Sequence, residues 1–419
     1  MSIGTGAPPS ALVDPARVER DLVRLVRTPS VTAGEEAAQD LMAELMADAG
    51  LSVERIAADP AAIAADPDWP GQEVARQNLP IVVGRTGTPG GKRILLVGHV
   101  DVVPVGDVGA WSVPPFEGVV RDGSVYGRGA CDMKGGVIAI LEAFRALRDA
   151  GTQLLGGEAW FVSVPSEEDG GQGMLAAIRA GCSGDMAVIA EPTGLDIIVA
   201  HAGALVFRLT VPGRAAHASK RREGVSALDK LMVLVRALED DERERNEDET
   251  DPLMTALGLP YPTIIGTIAG GDWASTVMDR VTVDGRYGVR LGDSWRDAEA
   301  QLRATIDRAV AADPFLRDHP PTLEITGGRF SSARIDPDHE LATGLGNAAE
   351  AVLGRRPAIA GAPYGADMRL LVNEGATPTV IFGPGDARVA HAADEHVPIA
   401  EVVDCARVLA EWITRTLSG

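Results

Sequence analysis

Two adjacent glutamates, Glu167 and Glu168, sit in the run Pro165-Ser166-Glu167-Glu168-Asp169-Gly170-Gly171. Neighbouring side chains on an extended segment point in opposite directions, so the pair suggests two roles: one carboxylate binding a metal, the other moving a proton. Further metal-binding residue types recur along the chain. His99-Val100-Asp101 follows the apolar run Ile94-Leu95-Leu96-Val97, and Asp132 lies in the glycine-rich stretch Gly127 to Gly136. Glu191 opens Glu191-Pro192-Thr193, and His391 stands near the C-terminus. Imidazoles and carboxylates drawn from positions 99 to 391 point to a dinuclear metal site.

His99 and Asp101, at i and i+2 on a strand end, point the same way. A metal-bound imidazole needs its second nitrogen anchored, so Asp101 either holds the ring or sits beside the metal bridge. The glycines around Asp132 permit the close approach a bridging carboxylate requires. A glycine-rich turn into a helix also suits phosphate. This one lacks the spacing of the Walker or dinucleotide fingerprints.

These residues need elements to hold them. A chain of 419 residues predicts two domains. Pro15 to Val26 and Glu35 to Ala49 show helical apolar spacing, whereas residues 57–77, rich in Ala, Asp and Pro, read as an irregular surface loop. Ile94 to Val97, Ala159 to Val164 and Met186 to Ala190 read as buried strands, with helices Gly135 to Arg148 and Gly173 to Ala180 between them. Such alternation predicts an α/β fold: a mostly parallel mixed sheet sandwiched by helices. Each chemical motif begins where a strand ends, which is where open α/β sheets place ligands.

The texture changes near residue 204. Strands at Leu205 to Val211, Thr263 to Ile268, Val281 to Leu291 and Thr322 to Thr326, with helices Gly224 to Glu239 and Asp297 to Ala312, predict an inserted α+β satellite unit. The acidic tract Asp240 to Asp251 reads as a solvated helix end or loop. The first texture returns with helices from Asp338 to Leu353, Met368 to Asn373 and Ala400 to Leu417, and a strand Thr379 to Phe382. The expected domains are therefore 1–203 plus 329–419, carrying the metal ligands, and 204–328, a dimerisation or lid unit.

A formal net charge of −21 argues against nucleic acid or an anionic membrane as partner. The three cysteines, Cys131, Cys182 and Cys405, form no CxxC pair or even-numbered framework, which fits a reducing compartment. Met1 to Pro9 lacks a basic region followed by an apolar run, and no stretch approaches ~20 apolar residues, so a cytoplasmic location is expected.

Six runs, HVDVVP, PPFEG, GRGACDMKGG, SEEDGG, AEPT and AHAADEHV, occur in this order. Together they resemble the dinuclear zinc amidohydrolase and metallopeptidase family of acetylornithine deacetylase, succinyl-diaminopimelate desuccinylase, aminoacylase and glutamate carboxypeptidase. The resemblance implies that Asp132 bridges two divalent metal ions. His99 and Glu191 would complete one, and Glu168 and His391 the other. Such ligands suit zinc, and also cobalt or manganese. Glu167 would be the general base and acid, and Asp101 the partner of His99. A cis peptide between Asp132 and Met133 is also implied.

By the same resemblance, His217 reaches the active site of the partner subunit of a homodimer and stabilises the tetrahedral oxyanion. Arg290 falls where the family keeps an arginine for the substrate carboxylate. The chain departs from the family at Ser275 to Met278, where an Asn-Val-x-Pro run is usual, and at Ala366, where Thr or Ser usually precedes the aspartate. Both departures lie on the substrate side. The expected activity is hydrolysis of an amide bond in a small molecule, deacylating an N-acyl amino acid or related amine. The alternatives are a dipeptidase or carboxypeptidase using the same site on a short peptide, or a catalytically silent binding homologue.

Overall fold

A computed structural model describes residues 6–418; of the stretch Met1 to Pro9 read for a targeting sequence, residues 1–5 lie outside that range, as does residue 419. The first strands along the chain are β1 (Ser52–Ala58), β2 (Leu79–Gly87), β3 (Lys92–His99), β4 (Val119–Arg121), β5 (Ser124–Tyr126), β6 (Gly157–Val164), β7 (Met186–Ile189) and β8 (Ile197–His201). Then come β9 (Gly203–Pro212), β10 (Thr263–Gly270), β11 (Arg280–Val289) and β12 (Thr322–Phe330). The last are β13 (Ala333–Arg334), β14 (Ile359–Ala362), β15 (Thr379–Ile381) and β16 (His396–Pro398).

Nine strands form one mixed sheet in the order β1-β2-β6-β3-β7-β15-β8-β13, with β14 also paired to β8. β6, β3, β7 and β15 run parallel at its centre, and antiparallel pairs flank them. The central strands are continuous apolar runs because helices cover both faces. Helix Gly135–Ala150 is buried from Gly135 through Leu147 and packs against the C-terminal helix Ile399–Leu417. A small sheet of order β16-β5-β4 joins the C-terminal segment to the stretch just before Asp132.

The four strands β10-β11-β9-β12 form an antiparallel sheet carrying helices Ala227–Glu247 and Trp295–Ala312. It has its own hydrophobic core, with Phe207, Leu234, Val283, Tyr287 and Leu302 at its centre. The second helix starts in a capping box, Ser294 and Asp297 each accepting the other's backbone N–H.

Two expectations need correction. The segment 57–77 is not simply irregular: Asp59 caps a short helix, Pro60–Ala64, and the segment sends Arg76 into the interior. The tract Asp240 to Asp251 is not merely solvated either. Its helix runs on to Glu247, and the Asp241 carboxylate accepts hydrogen bonds from Arg245, Tyr287 and Thr305. A buried face within an acidic run leaves no mark in composition alone.

Candidate metal centre

His99 ends β3, Glu167 follows β6 and Glu191 follows β7, so three chemical residues sit at the carboxyl ends of neighbouring parallel strands. Asp132 lies in a helical turn, Ala130–Lys134, broken at Asp132 and Met133 by non-helical φ/ψ. The Asp132–Met133 peptide is cis, as the resemblance implies.

The two Asp132 oxygens face different histidines. Oδ1 lies 3.2 Å from His99 Nε2, and Oδ2 lies 3.5 Å from His391 Nε2. His99 Nε2 is also 3.4 Å from Glu191 Oε1, and His391 Nε2 is 3.0 Å from Glu168 Oε2. Two groups result, His99–Asp132–Glu191 and Asp132–Glu168–His391, each with its ligand atoms within 4.8 Å of one another. Their shared member is Asp132.

His99 Nδ1 donates to the Asp101 backbone carbonyl at 2.9 Å, which turns Nε2 toward the cluster. The Asp101 carboxylate is therefore not the main anchor of the ring; its Oδ1 is 3.5 Å away. Instead its two oxygens accept the backbone N–H groups of Glu167 and Glu168, each at 3.1 Å. The carboxylate fixes the acidic turn rather than the imidazole.

That turn corrects another expectation. The Glu167-Glu168 run is not extended: Ser166 has φ +71°, Gly170 N–H donates to the Glu167 carbonyl, and Gly171 N–H donates to that of Ser166. Both carboxylates consequently open into one cavity of about 250 Å³, whose walls include Asp132, Glu191, Tyr364, Ala366 and His391. A larger open groove of about 710 Å³, lined in part by Asp251, Trp295 and Arg334, lies apart from these ligands.

The electrostatics of the cavity call for positive charge. Burial, reinforced by Asp132, pushes Glu191 up to about 8 and Glu168 up to about 7. Burial also holds Glu167 well above the usual carboxylate range. Burial opposes ionisation of Asp132 too, but His391 and His99 hold it well below that range. Hydrogen bonds to Asp132 and Glu168 raise His391 to about 11. Four carboxylates and two imidazoles that favour protons or cations among them are a donor set suited to divalent metal.

Two further residues do not line this cavity: His217, expected to serve the cavity of a partner subunit, and Arg290, expected to meet the substrate carboxylate. His217 is exposed, its Nδ1 hydrogen-bonded to Ser219 Oγ at 2.8 Å, and does not line the cavity. Arg290 follows β11, where its charge acts on Glu249 and Tyr261, and it too lies off the cavity wall. Conversely, several residues went unanticipated. Arg76 bridges Glu35 and Asp169 at 3.1 Å each, bracing the acidic turn from behind. Arg369 donates to the Gly170 and Ala366 carbonyls, tying the loop that carries Tyr364 to the same turn. Arg128 and Glu395 form a buried pair at 2.6 Å beside Asp132. Arg128 and Glu395 sit inside recognised runs, yet nothing local marks them as structural charges.

Carboxylates and imidazoles converging at strand ends around a shared aspartate define a metal-dependent hydrolase site. The profile of Peptidase family M20/M25/M40 matches residues 95–415, and the chain belongs to that family. It is a metal-dependent hydrolase of amide bonds. Among curated proteins it is 32% identical to succinyl-diaminopimelate desuccinylase of Methylobacterium nodulans, over 90% of each chain. It is 27% identical to N-formyl-4-amino-5-aminomethyl-2-methylpyrimidine deformylase of Halalkalibacterium halodurans, over 80% of this chain and 82% of that one. In fold it is similar to an M20 family metallo-carboxypeptidase from Sulfolobus solfataricus, with a TM-score of 0.74 at 17% identity over 96% of this chain and 99% of the other. A di-peptidase of Saccharomyces cerevisiae matches equally, with a TM-score of 0.74 at 16% identity over 98% of each chain. Among the described residues no helix is long and apolar enough to cross a membrane.

Proposed function

We propose that the protein removes a small acyl group from an N-acylated amino acid or related amine. The observation that carries this reading is the sharing of Asp132 between two ligand groups, with Glu167 facing the same cavity. In this reading His99, Asp132 and Glu191 hold one divalent cation, and Asp132, Glu168 and His391 hold a second. Zinc is the proposed metal, with cobalt or manganese as substitutes. When bound, such cations polarise an amide carbonyl and acidify a water.

The chain's own groups do the rest. Glu167 takes a proton from the attacking water and delivers it to the departing nitrogen, so one carboxylate serves first as base and then as acid. Asp101 keeps that carboxylate in register by gripping the backbone of its turn. A cavity of about 250 Å³ favours a short acyl arm, and the deformylase and desuccinylase names among the relatives fit an acylated amine.

The unit 204–328 is proposed to mediate a homodimer in which His217 of one copy serves the cavity of the other. In support, β10 is an edge strand exposing Ile264 (58 %) and Ile268 (59 %), and Trp273 beyond it is 73 % exposed. An apolar sheet edge left open is an association surface. Arg290 is the proposed partner of a substrate carboxylate, and the proposed compartment is the cytoplasm.

A panel of N-formyl, N-acetyl and N-succinyl amino acids and dipeptides, assayed with zinc, cobalt and manganese, tests the reading. Turnover is expected on acylated amino acids and to vanish with a chelator. Turnover confined to dipeptides would replace this assignment with an exopeptidase. Sedimentation of the same preparation is expected to give a dimer; a monomer removes the role proposed for His217.

A further inference from the structure

The two ligand groups are not equally supported. His99 ends β3 and Glu191 follows β7, adjacent central strands locked by ladder hydrogen bonds. His391 has no strand under it. It sits at φ +60° between the short turn Ala387–Val389 and β16, and its side chain is 54 % exposed.

Its backbone is tied by Arg128. That buried guanidinium donates from Nη2 to the His391 carbonyl at 3.3 Å and from Nη1 to Glu395 Oε2 at 2.6 Å. The other Glu395 oxygen, Oε1, accepts the backbone N–H groups of Cys131 and Asp132 at 3.0 Å each. Arg128 thus reaches one ligand's carbonyl directly and another ligand's amide through Glu395. A planar fork can hold two acceptors at fixed separation, which a single ammonium cannot. Groups behind metal ligands set affinity by fixing the ligands' orientation.

We propose that the Arg128–Glu395 pair is a positioning unit that sets cation affinity chiefly at the Asp132–Glu168–His391 group, where it holds both His391 and Asp132, and acts on the His99–Asp132–Glu191 group only through the shared Asp132 amide. The proposal rests on the two-cation reading above. It makes the cluster asymmetric, with one position built by the sheet and the other by a side-chain clamp.

Calorimetric titration of the metal-free protein with zinc separates the possibilities. The parent is expected to bind two equivalents in two steps, and His391→Ala identifies the step belonging to the clamped position. Arg128→Met should weaken that step by about 10–100-fold and the other by clearly less, because only Asp132 is common to both. Arg128→Lys, which keeps a charge beside Glu395 but loses the second donor to His391, should fall between parent and Arg128→Met. If Arg128→Met does not fold, because Glu395 is left buried and unpaired, Arg128→Lys carries the same test. A parent that binds a single equivalent removes the two-cation reading itself. A parent that binds two, with both steps unchanged or both equally weakened in the folded variant, overturns the clamp.

Discussion

Glu167 and Glu168 show how two identical side chains acquire different work. Glu168 lies against His391, whereas Glu167 has no imidazole within hydrogen-bonding distance and faces the cavity from a turn fixed by Asp101. Burial holds the Glu167 carboxyl well above its ordinary range, which suits the role proposed for it of accepting and then releasing a proton. Replacing it by Gln keeps size and hydrogen bonding but removes the proton acceptor. For Glu167→Gln the expected result is a fall in kcat of ~10²–10⁴-fold, with KM and zinc stoichiometry near those of the parent. Steady-state kinetics and metal analysis check this. A variant within a few-fold of parental kcat would falsify the assignment of the proton to this residue.

At the scale of elements, backbone proximity builds the centre as much as ligand chemistry does. Helix Gly135–Ala150 starts just past Asp132, and it can approach the segment that follows β7 because Gly136 has no side chain. A Cβ there would stand 1.8 Å from the Ala190 carbonyl oxygen, one residue before Glu191. Gly173 plays the same part at the next helix, where a Cβ would meet the Pro165 carbonyl oxygen at 2.0 Å. Gly136→Ala must therefore push the segment bearing Asp132 away from the one bearing Glu191. The expected cost is about 3 kcal/mol in denaturant unfolding of the metal-free protein, together with weaker zinc binding. Parental stability and affinity in that variant would show that the two backbones do not meet this closely.

Elements of this kind were partly legible. Ile94 to Val97 and Met186 to Ala190 are apolar throughout, so the strands and the ligands that follow them could be read directly. What could not be read were contacts between distant charges. Arg128 and Glu395 lie 267 residues apart, and Arg76 lies 93 residues from Asp169. The turned geometry of Ser166 to Gly171 was hidden as well. It depends on Asp101, whose residue type and position suit holding the imidazole just as well. Short-range periodicity carries no record of such pairings.

Over the whole molecule, buried ionisable groups link stability to pH. His201, at the end of β8, is fully buried with Nδ1 at 2.7 Å from the Ala202 carbonyl. Burial, with the charge of Arg369 adding to it, pushes this imidazole down to about 4 from its ordinary 6.5. The unfolded chain therefore takes up a proton below 6.5 that the folded chain refuses until about 4. Stability from this residue is complete above 6.5 and is lost as the pH falls toward 4, by roughly 3 kcal/mol in all. Denaturant unfolding at pH 7 and pH 4.5 should show a smaller acid loss in His201→Gln than in the parent. Equal losses in the two proteins would clear His201 of that role.

β15, only Thr379–Ile381, is wedged between β7 and β8 in the middle of the large sheet. A strand encoded so late yet placed so centrally has a bearing on biosynthesis. While the ribosome is still making the first 378 residues, the edges of β7 and β8 that β15 will fill wait with unmatched backbone groups, and His391 does not yet exist. Assembly of the centre is thus a step taken by the nearly finished polypeptide, and a nascent chain halted before Thr379 should stay open to proteases whatever zinc is supplied.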